Sequence, residues 1–182
     1  MRSLVSYYAL SFKLAFYIAL IFSVIAAIVV LRSRDARHAT RSVSRVLAVG
    51  SVFVIFVATG LPRDWPLHWG GGDLKLALGE GGLGEWRHVI NEPNSLAALL
   101  IVLNVVLYIP LAFLATLGWR RHVFAVLVAC LLVSLGVEFA QLVALNGVAA
   151  TDDVLLNFSG AVAGAILGVI VVRRPARPQP AG

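Results

Sequence analysis

Five apolar runs dominate this chain, at residues 14–31, 46–61, 96–117, 123–145 and 154–172. A helix rises 1.5 Å per residue, so roughly 20 residues cross a hydrocarbon core of about 30 Å. All five runs meet or approach that length. The second is the shortest and draws in Val43 and Ser44, with the Arg45 stem lying along the lipid and its charge among the headgroups. Lipid offers no partner for backbone N–H and C=O groups, so an uninterrupted apolar run of this length has to be helical. Composition agrees: 60% of residues are hydrophobic and 13% charged, where a soluble domain carries about 25% charged residues. The expected fold is all-α, an integral bundle of about five transmembrane helices, multi-pass in the cell membrane.

The charges set an expected topology. Arg32, Arg34, Arg37, Arg41 and Arg45 crowd the connection after the first run against one acid, Asp35, and mark it as cytoplasmic. Five crossings then put the N-terminus outside and the C-terminus inside. On that reading ten of the fifteen Lys and Arg fall inside, as the positive-inside rule demands, with Arg2 and Lys13 pulling the other way. The first run is too long for a signal-peptide core and is followed by Arg32-Ser-Arg-Asp35, where a cleavage site would need small residues. It reads as an uncleaved helix. Residues 1–95 are expected to hold two transmembrane helices and a long extracytoplasmic loop, residues 96–172 a three-helix core, and residues 173–182 a disordered cytoplasmic tail rich in Pro and Arg.

Several functions are disfavoured. The net charge of +6 sits at membrane flanks, which points to lipid headgroups and away from nucleic acid. Cys130 is alone, so no internal disulfide can form. There is no Gly-rich phosphate loop and no metal-spaced Cys/His set, so neither a metal nor a cofactor is expected. No sequence feature specifies an oligomeric state. In the outer loop Trp65, Trp69 and Trp86 read as interface anchors, and Leu74–Leu78 as a short turn lying on the membrane. Asp64, His68, Arg87 and His88 are loop groups able to reach a site in the outer leaflet.

The few polar residues within the runs gather at one level. The third run enters from outside, placing Asn104 eight residues, or about 12 Å, below the outer face. The fourth leaves toward the outside, so Glu138 lies about 10 Å below the same face and Gln141 above it. The fifth starts outside with Asp152 and Asp153 and carries Asn157 one turn down. Glu138 and Gln141 share a helix face, with Ser134 one turn below. Asn157, Gly160, Gly164 and Gly168 form a stripe in which the glycines follow the small-xxx-small pattern that lets membrane helices approach closely. Pro110 is expected to kink the third helix and free the carbonyl of Val106, with Tyr108 one turn from Asn104. Glu138 is the sharpest feature. An ionised carboxylate at that depth needs a cation, none is near in the runs, and the group has to be neutral or strongly hydrogen-bonded.

Three segments, Asn104-Val-Val-Leu-Tyr108-Ile-Pro110-Leu-Ala, Val137-Glu138-Phe-Ala-Gln141 and Asp152-Asp153-Val-Leu-Leu-Asn157-Phe-Ser-Gly160, resemble the VanZ-like family of small bacterial membrane proteins in content, order and separation. The resemblance implies that Asn104, Pro110, Glu138, Gln141, Asp153, Asn157 and Gly160 are motif positions. It also implies a link to low-level resistance to teicoplanin, a lipoglycopeptide, which is a phenotype and no reaction. Two departures stand out. Members often carry Arg ahead of the paired acids, where this chain is near Gly147, and Gly where this chain has Ala112. Losing the Arg removes the natural partner of Asp153, for which Arg87 is a candidate replacement.

Three function classes follow. In the first, an outward cavity binds or modifies a lipid-linked or amphiphilic envelope molecule. Glu138 is then the acid or base and Asp153 its charged partner, while Asn104, Gln141, Asn157, Asp152 and Tyr108 bind the ligand and Pro110, Gly160, Gly164 and Gly168 set the packing. The second is a structural or partner-binding membrane protein in which the amides are interhelical glue. The third is an oligomeric proton-coupled transporter, for which intramembrane acids are typical but an inner-half relay is lacking.

Overall fold

The computed structural model describes residues 2–33, 35–60, 73–80, 84, 91, 96–119, 122–144 and 148–173. Among the described residues the elements run in the order α1 (Arg2–Arg32), α2 (Ala36–Gly60), β1 (Asp73–Lys75), α3 (Leu96–Trp119), α4 (Val123–Ala144), β2 (Val148–Ala150) and α5 (Thr151–Arg173). All five helices hold a span long and apolar enough to cross a membrane. Large apolar side chains face outward along them, among them Phe16, Phe124 and Phe139, as lipid contact requires. The loop residues Asp64, Trp65, His68, Trp69, Trp86, Arg87 and His88, together with Gly147 and the tail 174–182, lie outside the described residues.

The arginine-rich connection is shorter than the sequence suggests. Asp35 accepts from the backbone N–H groups of Arg37 and His38, both at 3.1 Å, and so caps α2 at its first turn. Ser33 closes α1 by donating its hydroxyl to the carbonyl of Val29. Arg37, Arg41 and Arg45 therefore ride on α2 at four-residue intervals, forming a stripe along the helix where a loop was expected.

The closest packing joins α3 and α5, which run parallel. A methyl built on Gly160 would collide with the carbonyl of Val105, and one on Gly164 with that of Ile109. At Gly168 it would come within 2.7 Å of Thr116 Cβ. The small-xxx-small stripe thus brings two backbones together, and Thr116 turns its own hydroxyl back to the carbonyl of Ala112. The helix runs through Pro110, whose ring is on the exposed side. The apolar core, with Ile55, Tyr108, Ala112, Val137 and Ala161 almost fully buried, lies among α2 to α5. Helix α1 packs on α2, stacking Phe22 on Phe53 with 5.7 Å between ring centroids.

The two ends of the bundle are unlike. At one end β1 pairs with β2 in parallel, in the register Asp73↔Val148, Leu74↔Ala149 and Lys75↔Ala150. At the other, Arg45 reaches from α2 to donate through Nε to the carbonyl of Gly118 at 2.9 Å, lying over the Trp119 ring. They are the strand end and the arginine end below. The pairing corrects the expectation of a turn over Leu74–Leu78: Asp73-Leu-Lys75 is a strand whose partner lies beyond α3 and α4 in the chain, and the turn follows at Ala77–Glu80.

Candidate functional site

The strand end is assembled from short-range rules at each element and one long-range pairing. Past β1 the chain turns at Ala77–Glu80, held by the Glu80 N–H to the carbonyl of Ala77 at 3.2 Å. Gly79 takes φ of 88°, a conformation that L side chains resist. That twist aims the Gly79 N–H at both carboxylate oxygens of Asp152, at 3.1 and 3.2 Å. Thr151 adds a second tie by donating its hydroxyl to the carbonyl of Leu76 at 3.1 Å. Residues 76–79 are therefore fixed to the first turn of α5, where acidic residues are favoured by the helix dipole.

Glu138 finds a backbone partner for its buried carboxyl group. Its Oε2 accepts the backbone N–H of Ala150 at 3.0 Å, immediately ahead of the N-terminus of α5. A hydrogen bond to a charged group contributes about 1.5–3 kcal/mol net, and a helix N-terminus favours negative charge. With that bond and only 8% exposure, Glu138 fits the expectation of a carboxyl group that is neutral or strongly hydrogen-bonded.

Below it the polar groups continue. Asn157 donates its amide N–H to Ser134 Oγ at 2.9 Å, joining α5 to α4. The Tyr108 hydroxyl of α3 lies beside Ser134 and within the field of Glu138. Asn157 Oδ1 is buried with no hydrogen-bond partner among the described residues. That atom marks a place in the core where a small polar guest or water would gain a partner. Toward the rim, Asp153 is half-buried, with Asn104 as a hydrogen-bonding neighbour and Lys75 near enough for its charge to be felt. Glu138 and Asp153 also sense each other's charge.

Asn104, Tyr108, Glu138, Asp153 and Asn157 thus belong to one connected set spanning α3, α4 and α5. Gln141 does not: its amide donates to the carbonyl of Thr59 at 2.9 Å and clamps α4 to the end of α2. Asp152 is fully buried beneath the Gly79 turn. With this geometry in view, the match of the family model VanZ/LLP1 over residues 14–172 decides the family. The chain belongs to the VanZ/LLP1 family. No curated protein and no solved structure matches it.

The family match covers all five spans, well beyond the three segments that carried the resemblance. Two residues of the site escaped sequence reasoning. Lys75, left out of the sequence reading of the site, lies near enough to Asp153 for its charge to be felt. Gly79, likewise left out, supplies the N–H that Asp152 accepts. The alternation around Lys75 was the available signal, but three residues of it inside a Gly-rich stretch cannot be told from a turn.

Proposed function

We propose that the strand end faces the cell exterior and that its polar set binds the hydrophilic part of a lipid-linked or amphiphilic envelope molecule, affecting susceptibility to glycopeptides such as teicoplanin. One observation carries the reading. Two carboxylates that feel each other's charge sit in unlike surroundings, Glu138 buried and held by a backbone N–H, Asp153 half-buried between Asn104 and Lys75. Such a pair can divide acid and base roles, or grip a ligand through one member while the other holds the scaffold. The half-buried group, with Asn104 and Lys75 beside it, is the one a ligand reaches first. Asp153→Asn should abolish any change in teicoplanin susceptibility conferred by the protein while leaving its membrane level unchanged. Unaltered susceptibility would remove Asp153 from the reading.

A structural role is the second reading, favoured by the ties that Gln141 and Asp152 make to backbone groups of other elements. Under it Glu138→Gln, which keeps an acceptor for Ala150, is silent in every envelope assay. Proton-coupled transport has less support, since Glu138 is engaged by Ala150 and the polar set stops well short of the arginine end.

A further inference from the structure

A groove of about 250 Å³ opens between α2 and α4 over a floor of α3. Ala48 and Val52 line one wall, Val126 and Cys130 the other, and Leu111 and Ala115 the floor. Toward the strand end α2 and α4 are tied together. There Gln141 bonds to Thr59, and a methyl built on Gly136 would lie 4.0 Å from the Phe56 ring. Farther down, small side chains leave the walls apart. The floor from Leu111 to Trp119 covers about 12 Å of helix. All of its walls belong to candidate membrane spans, so what enters it comes from the bilayer.

The mouth specifies the occupant. Trp119 closes the floor, and Arg45 lies over its ring, 5.9 Å from the centroid. Arg45 stands one turn before Ala48 and Val49, so the basic stripe Arg37–Arg41–Arg45 runs straight into the apolar wall on α2. Gly118 makes this possible, because a methyl there would meet the Arg45 backbone N at 3.0 Å. Arg45 uses Nε for the Gly118 carbonyl and is itself exposed, as is Arg41. A hydrocarbon slot that ends at an aromatic ring and a row of guanidinium groups has the polarity of an anionic phospholipid, tail inward and phosphate at the mouth. We infer that this groove is a binding site for an anionic phospholipid of the arginine-end leaflet, one acyl chain lying between α2 and α4 and the phosphate held at Arg45 and Arg41.

The site is independent of the polar set at the strand end. To test it, the full chain with Trp65, Trp69 and Trp86 changed to Phe, leaving Trp119 as the reporter, is reconstituted in phosphatidylcholine vesicles. Phosphatidylglycerol or phosphatidylcholine brominated on the acyl chain is then titrated in. Brominated phosphatidylglycerol should quench Trp119 half-maximally at a severalfold lower mole fraction than brominated phosphatidylcholine. Arg41→Gln should narrow that difference by about fivefold, the worth of one basic residue near a charged headgroup. Ala129→Phe, on an exposed position of the wall, should abolish the preference; Ala125→Phe serves if that variant fails to fold. Equal quenching by the two lipids would overturn the site, as would a preference that survives the filled groove. Efficient disulfide dimers of Ala129→Cys in the membrane would also overturn it, by giving the groove to a second copy of the chain.

Discussion

At the strand end α4 is tied to α2 by the Gln141 amide and to β2 by the Glu138 carboxylate, each bond reaching a backbone group of another element. At the arginine end the same α2 and α4 part over the apolar floor of α3, and a bond from Arg45 to Gly118 joins α2 to α3. One end spends its polar residues on fixing loops and helix termini, while the other leaves space and puts charge at the rim. Side chain to backbone bonds inside lipid are hard to exchange because neither partner finds water when released. The strand end is therefore built to hold one arrangement. The arginine end can admit a guest without breaking any such bond.

Substitutions can break or sharpen that contrast. The largest effect is expected from Gly164→Leu, which drives a side chain into the Ile109 carbonyl on the axis common to both ends. Overpacking against backbone costs about 3 kcal/mol or more, and monodisperse protein in detergent should be lost on size-exclusion chromatography. Next comes Glu138→Ala, which leaves the Ala150 N–H buried without its acceptor and should cost about 1–3 kcal/mol. Thermal unfolding should show it, with Glu138→Gln recovering most of the loss. Gly79→Ala meets no atom within 4 Å, so its cost is the strained φ alone, about 1–2 kcal/mol. Faster proteolysis of residues 73–80 with an unchanged melting temperature is the expected signature, since only the turn over Asp152 loosens. Smallest is Ala129→Leu in the groove wall, where an exposed position should leave thermal stability within about 0.5 kcal/mol of the parent. A drop as large as that of Glu138→Ala would show that the arginine end is as rigid as the other.

Much of the architecture could be read from residue order because membrane spans declare themselves by length and hydropathy. The glycine stripe 160-164-168 and the face shared by Ser134 and Glu138 were legible for the same reason: helical periodicity converts spacing directly into direction. What the sequence concealed were features settled by distant partners. The bond from Gln141 to Thr59 joins residues 82 apart in the chain, and those from Asp152 to Gly79 join residues 73 apart. No local pattern announces such pairs. The start of α2 is a different kind of miss. Asp35 is an ordinary cap written in the sequence, but the dense arginines around it favour reading a loop.

Because β1 is made long before β2, the pairing Asp73↔Val148 cannot form during synthesis until both α3 and α4 have been threaded into the bilayer. Translation therefore places α1 to α4 ahead of the strand pairing, and the Gly79 turn can close over Asp152 only once the start of α5 has been made. A chain ending between residues 138 and 149 would carry Glu138 yet lack the Ala150 amide that Glu138 accepts.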